Sequence, residues 1–554
     1  MRPMELHRTH PRLANRLQAL ERQALRGEAP QALDGLRALH ATIPGDDERG
    51  QEAVAAMAAT LGSLGADHAT AAEVCDRVFE TVHDPAVRGH VQLYRGHMSR
   101  GPAKRRAYTT ALGEFKSAHD ARGMALALGW FALPCEGDDE VTDGYRARLG
   151  RDGIEYALRC GDPYVIALTT GHLAACETVM GVPTALDRWR AAAAGVGSDC
   201  DTLTANVVGL NYLNWALAAI GLGQYEEARR ALAEGGWVIR GERWSRTFLS
   251  IESIVGYRTG ELAKAAATAA QATEGARDDD RAAAMGTVVR VACDLETTRC
   301  PDTTGLEAAV EIIDRESEQV GAFAAGVLAQ VRCVRREPQA HRGLAKALRR
   351  SLNRGRRFGW EDRAIALVDA HLRSARRILD DGLDTWPTGP RADAAGAYVR
   401  GMLRGAAGHD DLREAGEAFA ALPEPVLAGR AFHVAAWTAP DTRTSNALRT
   451  RAVELLHGCE ADRSLAKVLR DRRLRRTPDV PRVPVTQRHA PSVGLTQREH
   501  DVAVLARRGL TATEIAQELS ISPGTARNHL FHIREKLGGV PKRKLVELFT
   551  PGDE

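Results

Sequence analysis

At 554 residues the chain is too long for a single compact core, and its mix of 27% charged, 44% hydrophobic and only 5% aromatic residues favours a soluble, helical protein of two or more domains. The net charge of +3 is unevenly placed: residues 461–490 hold nine Lys or Arg against three acids, and 491–554 hold nine against eight. The first 460 residues are therefore net acidic, which argues against a nucleic-acid sleeve there, while the basic surplus lies beside the C-terminus.

Nine scattered cysteines without a C-x-x-C pair argue against a disulfide framework or a paired-thiolate metal site, and point to reduced thiols in a cytoplasmic protein. The opening Met1-Arg-Pro-Met-Glu-Leu-His-Arg lacks the apolar core of a signal peptide.

From the N-terminus, Leu17, Leu20, Leu33, Leu36 and Leu39 keep helical spacing, and no alternating stretch argues for a sheet. Gly96-His-Met-Ser-Arg-Gly101 has the glycine spacing of a phosphate-binding loop. Pro102 and Ala103, however, stand where such a loop needs Lys and Ser or Thr, so the segment is expected to be a plain loop. Glu136–Glu140 and Asp278–Asp280 read as solvated acidic loops.

From about 105 to 300 a repeat emerges. Tyr212-x-x-Trp215-Ala216, Gly223-Gln-Tyr225 and Ala228 resemble a tetratricopeptide unit, with the glycine turning one helix into the next and Tyr225 and Ala228 packing the pair. Ile254 to Ala265 repeats it around Gly260, and Ile166 to Gly181 is a looser copy; Asp302–Ala309 and Gly408–Ala415 are candidate later members. Thr202–Tyr225 has no charge and is long enough to span a bilayer, but Asn206, Asn211 and Asn214 make an interior repeat helix the better reading, and no membrane is expected as a partner. Stacked hairpins create a concave face for a ligand, on which Trp215, Trp237, Trp244 and Tyr257 are candidates, with the repeat core as their competing destination. Leu422-Pro-Glu-Pro reads as a turn, and a long helix is expected from about Thr444 to Arg476. Four prolines between Pro478 and Pro491 then predict an extended tether.

The last sixty residues carry the densest helix signals. Thr496 to Glu499 and Thr511 to Glu514 are capping boxes, and Ser522-Pro523 starts a third helix one short corner after the second. On that third helix Ala526, Leu530, Ile533 and Leu537 share one face and are predicted to turn inward. Gly524, Arg527, Asn528, Phe531 and Glu535 are left outside, and Arg, Asn and an aromatic one turn apart suit guanine, adenine and a thymine methyl in the major groove. Leu495-Thr-Gln-Arg-Glu, Leu510-Thr-Ala-Thr-Glu-Ile-Ala, Ile521 to Leu530, Lys536-Leu-Gly and Arg543 resemble the DNA-binding domain of the LuxR/GerE/NarL family.

Taken with the repeat and the prolines, that resemblance implies an all-α chain: a tetratricopeptide-like α-solenoid over 1–476, a Pro/Arg-rich linker over 477–491 and a four-helix helix-turn-helix domain over 492–554. It implies DNA contacts from Thr511, Thr513, Thr525, Arg527, Asn528, His529, Phe531, Arg534, Lys536 and Arg543, and a dimer seam at Val540, Leu545, Val546 and Phe549. Ala526 where the family usually has Val, and Ala512-Thr513 where it has Asn-Lys, imply weaker affinity and the same fold. No receiver aspartate, autoinducer-binding pattern, nucleophile elbow or H-E-x-x-H is present, so no enzyme and no cofactor are expected. The expected function is a transcriptional regulator, more an activator than a repressor, with double-stranded DNA, RNA polymerase, an effector and a second copy of itself as partners. A repeat scaffold that recruits a protein to DNA, or a degenerate nucleotide-dependent switch, are the alternatives.

Overall fold

A computed structural model describes residues 8–536 apart from 27, 64–65, 134–141, 183, 195–201, 239–241, 276–279, 298–301, 317, 336, 338–341, 354–358, 371, 380–388, 470–496 and 508–509. The Pro-rich tether, the fourth C-terminal helix and the Glu136–Glu140 loop lie outside the described residues, which contain helices and no strand.

The first eleven helices are α1 (Pro11–Leu25), α2 (Ala29–His40), α3 (Glu48–Ser63), α4 (His68–Thr81), α5 (Pro85–Met98), α6 (Gly101–Ser117), α7 (Ala121–Ala132), α8 (Asp143–Cys160), α9 (Pro163–Val179), α10 (Ala185–Ala194) and α11 (Thr202–Gly221). Next come α12 (Tyr225–Val238), α13 (Glu242–Arg258), α14 (Leu262–Thr273), α15 (Arg281–Thr297), α16 (Leu306–Glu316), α17 (Glu318–Val334) and α18 (Arg342–Asn353). They are followed by α19 (Trp360–Ala370), α20 (Leu372–Leu379), α21 (Pro390–Arg404), α22 (His409–Ala421), α23 (Pro425–Trp437), α24 (Thr442–Gly458) and α25 (Asp462–Leu469). The C-terminal module holds α26 (Gln497–Arg507), α27 (Ala512–Glu518) and α28 (Pro523–Lys536).

Many of the starts have a local cause. Asp67, Asp84, Asp120, Thr142, Asp162 and Asp441 accept hydrogen bonds from amides of the first turns they precede. Pro85, Pro163, Pro390 and Pro425 occupy first helical positions, where no amide partner is lost. Helices pack on their sequence neighbours and on the next but one, as α3 does on α5, α7 on α9 and α13 on α15, which is the pattern of stacked helix hairpins.

The chain divides into two compact units, a split inside the 1–476 region that the sequence does not signal: residues 1–218 with 233–239 and 354–356, and the remainder. In the first unit, α11 is the uncharged helix with the length of a membrane span. Asn211 is buried on it and donates from Nδ2 to the carbonyls of Ala167 (3.0 Å) and Ala192 (3.1 Å), tying three helices together. Among the described residues no helix is long and apolar enough to cross a membrane. Trp215 is buried under the Arg190 guanidinium and is a core residue. Trp237 and Trp244 have side chains outside the described set.

The expected loop at Gly96 is corrected. Gly96 lies within α5, and a Cβ there would sit 2.3 Å from the Tyr108 ring, so the glycine allows a close helix crossing. Only Ser99 and Arg100 separate α5 from α6. Beside this crossing, the His97 and His172 rings pack on Trp130 at 4.3 and 4.5 Å between centroids. Burial, with Lys104 nearby, lowers His97 to about 3 and His172 to about 4.

In the second unit, the turns expected at Gly223 and Gly260 adopt left-handed backbone, with φ of 75° and 79°. Tyr225, Ala228 and Ala265 are buried behind them. The single helix expected from Thr444 is corrected: α24 stops at Gly458 and the chain turns through Glu460 at φ 57° before α25 begins at Asp462; residues 470–476 lie outside the described residues.

This unit is also crossed by buried charge. Tyr225 Oη donates to Glu424 Oε1 (2.6 Å), Arg391 donates to Glu424 (2.9 Å) and to Asp362 (2.7 Å), and Arg258 donates to the other Asp362 oxygen (2.5 Å). Burial opposes ionisation of Asp362, but Arg258 and Arg391 outweigh it and hold the carboxyl far below the usual range. A second knot joins Glu296 to Arg430 and Ser464, and Asp369 to Tyr398.

Arg391→Ala takes a cationic partner from both Glu424 and Asp362, leaving them Tyr225 and Arg258, and is expected to cost about 3–5 kcal/mol in urea unfolding, because one partner of a buried network is removed. A change under about 1 kcal/mol would mean that water already serves these carboxylates. The histidines give a pH prediction. His97 and His172 have depressed folded values, so their contribution is complete above the unfolded value near 6.5 and is lost as pH falls toward about 4. His97→Gln with His172→Gln should therefore flatten the fall of melting temperature between about pH 6.5 and 5. The difference between the two proteins isolates this from Glu361, which burial raises to about 7 and whose contribution runs the opposite way.

Candidate nucleic-acid interface

The C-terminal module is organised by two caps. At the start of α27 the Glu514 amide donates to Thr511 Oγ1 (3.3 Å) and the Thr511 amide donates to Glu514 Oε2 (2.7 Å), the reciprocal pair that the sequence predicts. At the start of α28 the Thr525 amide donates to Ser522 Oγ (3.0 Å), with Pro523 at the first helical position. The box at Thr496 lies outside the described residues.

Only Leu519–Ser522 separates α27 from α28, and the chain makes this corner by placing Ser520 at φ 52°. Ile521 closes it by donating its amide to the Ala516 carbonyl at 2.9 Å. The result is a helix-turn-helix corner.

Beneath the corner, Val502, Ala503, Leu505 and Ala506 of α26 pack with Leu510, Ile515 and Ala516, and with Ala526, Leu530 and Ile533 of α28. Ala526 and Ile533 are fully covered, so the inward face of α28 is the one its periodicity assigns; Leu537 lies beyond the described residues. Leu519 and Ile521 are partly buried against the same core.

The opposite face of α28 is open. Thr525, Arg527, Asn528 and His532 are exposed, Phe531 is 58% exposed, and His529 is half-buried at the margin. A large aromatic left in water is unusual for a module this small, whose other described large apolar side chains are at least partly buried. The Phe531 ring meets the His532 ring edge-on at 5.7 Å. Arg527 donates from Nε to the Pro523 carbonyl at 3.2 Å, one turn back. That leaves its two terminal nitrogens, the pair that reaches guanine O6 and N7 bidentately, unengaged among the described residues. Thr511 and Thr513 stand at the start of α27, with Thr511 exposed.

Two contacts are not legible in the sequence. Arg498 on α26 donates to the Leu519 carbonyl at 2.7 Å and so pins the C-terminal end of α27. The Thr525 hydroxyl is shared with Ser522 at 2.8 Å, so it serves the cap as well as facing outward. An exposed Arg in the first turn and a side-chain hydroxyl at a cap are too common in sequences to mark either role. Arg534 and Lys536 are helical, with side chains outside the described set. Arg543, Val540, Leu545, Val546 and Phe549 lie outside it altogether.

In chemical terms, α28 offers a guanidinium, an amide and an apolar ring on one exposed face, braced by a closed core. These are the groups that read guanine, adenine and thymine edges in a groove wide enough for a helix. No curated protein matches the chain. Residues 493–549 match the family model described as bacterial regulatory proteins, luxR family, and this C-terminal module is a luxR-family helix-turn-helix domain, the DNA-binding end of a transcriptional regulator.

Proposed function

We propose that the chain binds specific operators by inserting α28 into the major groove, with Arg527, Asn528 and Phe531 on base edges and Thr511, Thr513, Thr525, His529, Arg534, Lys536 and Arg543 toward phosphates. The observation that carries this reading is the sorting of α28: Ala526, Leu530 and Ile533 are buried while Arg527, Asn528 and Phe531 stand in solvent. A single such module covers few base pairs, so pairing through Val540, Leu545, Val546 and Phe549 would multiply its specificity. In this reading the protein acts in the cytoplasm as an activator that recruits RNA polymerase.

The helical array is the sensory part of the proposal. In the second unit a cleft is lined by Tyr257, Phe323 and Gln330 and by the ion-paired Arg258, Asp362, Glu424 and Arg430. Its mix of rings, an amide and paired charges suits a small polar effector. Of the aromatics proposed from the sequence, Tyr257 lines it; the side chains of Trp237 and Trp244 lie outside the described residues. Effector binding there would release a reader that the empty array masks.

Two measurements test this. Once an operator has been selected from a random duplex pool, Arg527→Ala is expected to lose about 1–3 kcal/mol of binding, confined to one base pair in competition with singly substituted operators. An equal loss on every sequence would place Arg527 on phosphate instead. For masking, a fragment of residues 478–554 should bind the operator more tightly than the full chain without effector; equal or weaker binding would end that part of the proposal.

A further inference from the structure

Across the array, many surface arginines are matched with acids. Arg37 pairs with Glu73, Arg88 with Glu114, Arg95 with Asp76, Arg122 with Asp162, Arg188 with Glu177, Arg246 with Asp280 and Arg332 with Glu307. Others carry no ion pair among the described residues, Arg12 and Arg16 of α1 among them, and on one surface several such cations stand together.

From Gln339 to Trp360 the sequence is rich in Lys and Arg and holds no acid. Within it, α18 buries Leu344 and Leu348 and exposes Arg342, Lys346 and Arg349. The exposed three recur at four- and three-residue steps and therefore share one face, spanning about 10 Å of helix axis. Helix α20 packs beside α18, buries Ala375, Ile378 and Leu379, and exposes Arg376 and Arg377. Arg376 donates to the Leu403 carbonyl at 2.6 Å. Among the described residues, Arg342, Lys346, Arg349 and Arg377 make no ion pair, although their like charges repel and a neighbouring carboxylate would relieve them.

We infer that the α18–α20 face is a second DNA-contacting surface, one that holds duplex phosphates without reading sequence. It rests on the reading that the chain binds DNA. An unneutralised row of cations gains most from a partner that carries a regular row of anions and releases counterions on binding. Duplex DNA has that form, with one phosphate per about 3.4 Å of axis on each strand, so a row of about 10 Å faces about three phosphates of one strand. A lipid surface fits less well. Helices that lie on membranes expose apolar side chains beside their cations, whereas the apolar residues of α18 and α20 named above are turned into the protein. The net acidity of the first 460 residues conceals this surface, because its neutralising acids lie elsewhere along the chain.

The test uses the full chain, a duplex of random sequence about three helical turns long and fluorescence anisotropy over a range of salt. A variant carrying Arg342→Gln, Lys346→Gln, Arg349→Gln and Arg377→Gln changes only exposed side chains, and an unchanged thermal melt would show that it folds. Its affinity is expected to fall ~10-fold or more at low salt, with the slope of log K against log salt shallower by about 0.9 for each phosphate it no longer neutralises. Arg527→Ala, by contrast, should spare most random-duplex binding. If the quadruple variant keeps the wild-type slope while Arg527→Ala still weakens operator binding, the surface does not touch DNA and the reader stands. If the wild-type chain binds no duplex at low salt, the function proposed above fails, and this surface fails with it. Capture on vesicles of phosphatidylserine and phosphatidylcholine that the quadruple change abolishes, with random-duplex affinity unaltered, would overturn the assignment in favour of a membrane.

Discussion

The hydrogen-bonded charge cluster of Arg258, Asp362, Arg391 and Glu424 is the constraint that fixes the second unit. Helix hairpins stacked on small residues can slide, because Ala against Ala specifies no register. Here Tyr225 on α12 and Glu424 ahead of α23 are 199 residues apart and meet at 2.6 Å. Such hydrogen bonds have one geometry, so each helix that contributes a member is held at one rotation and one depth. The desolvation of two guanidiniums and two carboxylates makes the cluster a weak source of net stability. Its effect is to make misregistered packings costly, since any slip strands a charge in the interior.

The same distinction between near and distant partners governs what the sequence reveals. The caps and the inward face of the helix-turn-helix corner are legible because their signals are local. A threonine with a glutamate three residues on, a serine before a proline, and apolar positions three and four apart each have a short-range meaning. The same holds for Gly223 and Gly260, where a turn needs left-handed backbone. The charge cluster is not legible. Nothing near Arg391 or Glu424 in sequence distinguishes them from dozens of solvated charges, and their partners lie tens to hundreds of residues away. Leu422-Pro-Glu-Pro reads as a turn, but the role of its glutamate depends on Tyr225, Arg258 and Arg391.

Helix boundaries that the sequence misplaces have related causes. Thr444 to Arg476 reads as one helix because Gly458-Cys-Glu-Ala carries no proline; the break comes from Glu460 entering left-handed backbone. Gly96 reads as a loop residue because its spacing to Gly101 imitates a phosphate cradle. In the fold that glycine is where α5 meets the Tyr108 ring, and a side chain would be in the way.

Cys75, Cys176 and Cys293 are buried, and burial pushes their thiols up to about 12. At neutral pH these thiols then stay protonated, and the thiolate is the form that attacks peroxide. Sulfenic acid formation at these three sites would have to wait for local unfolding. Their oxidation would thus report that the array has opened, and would not be what opens it.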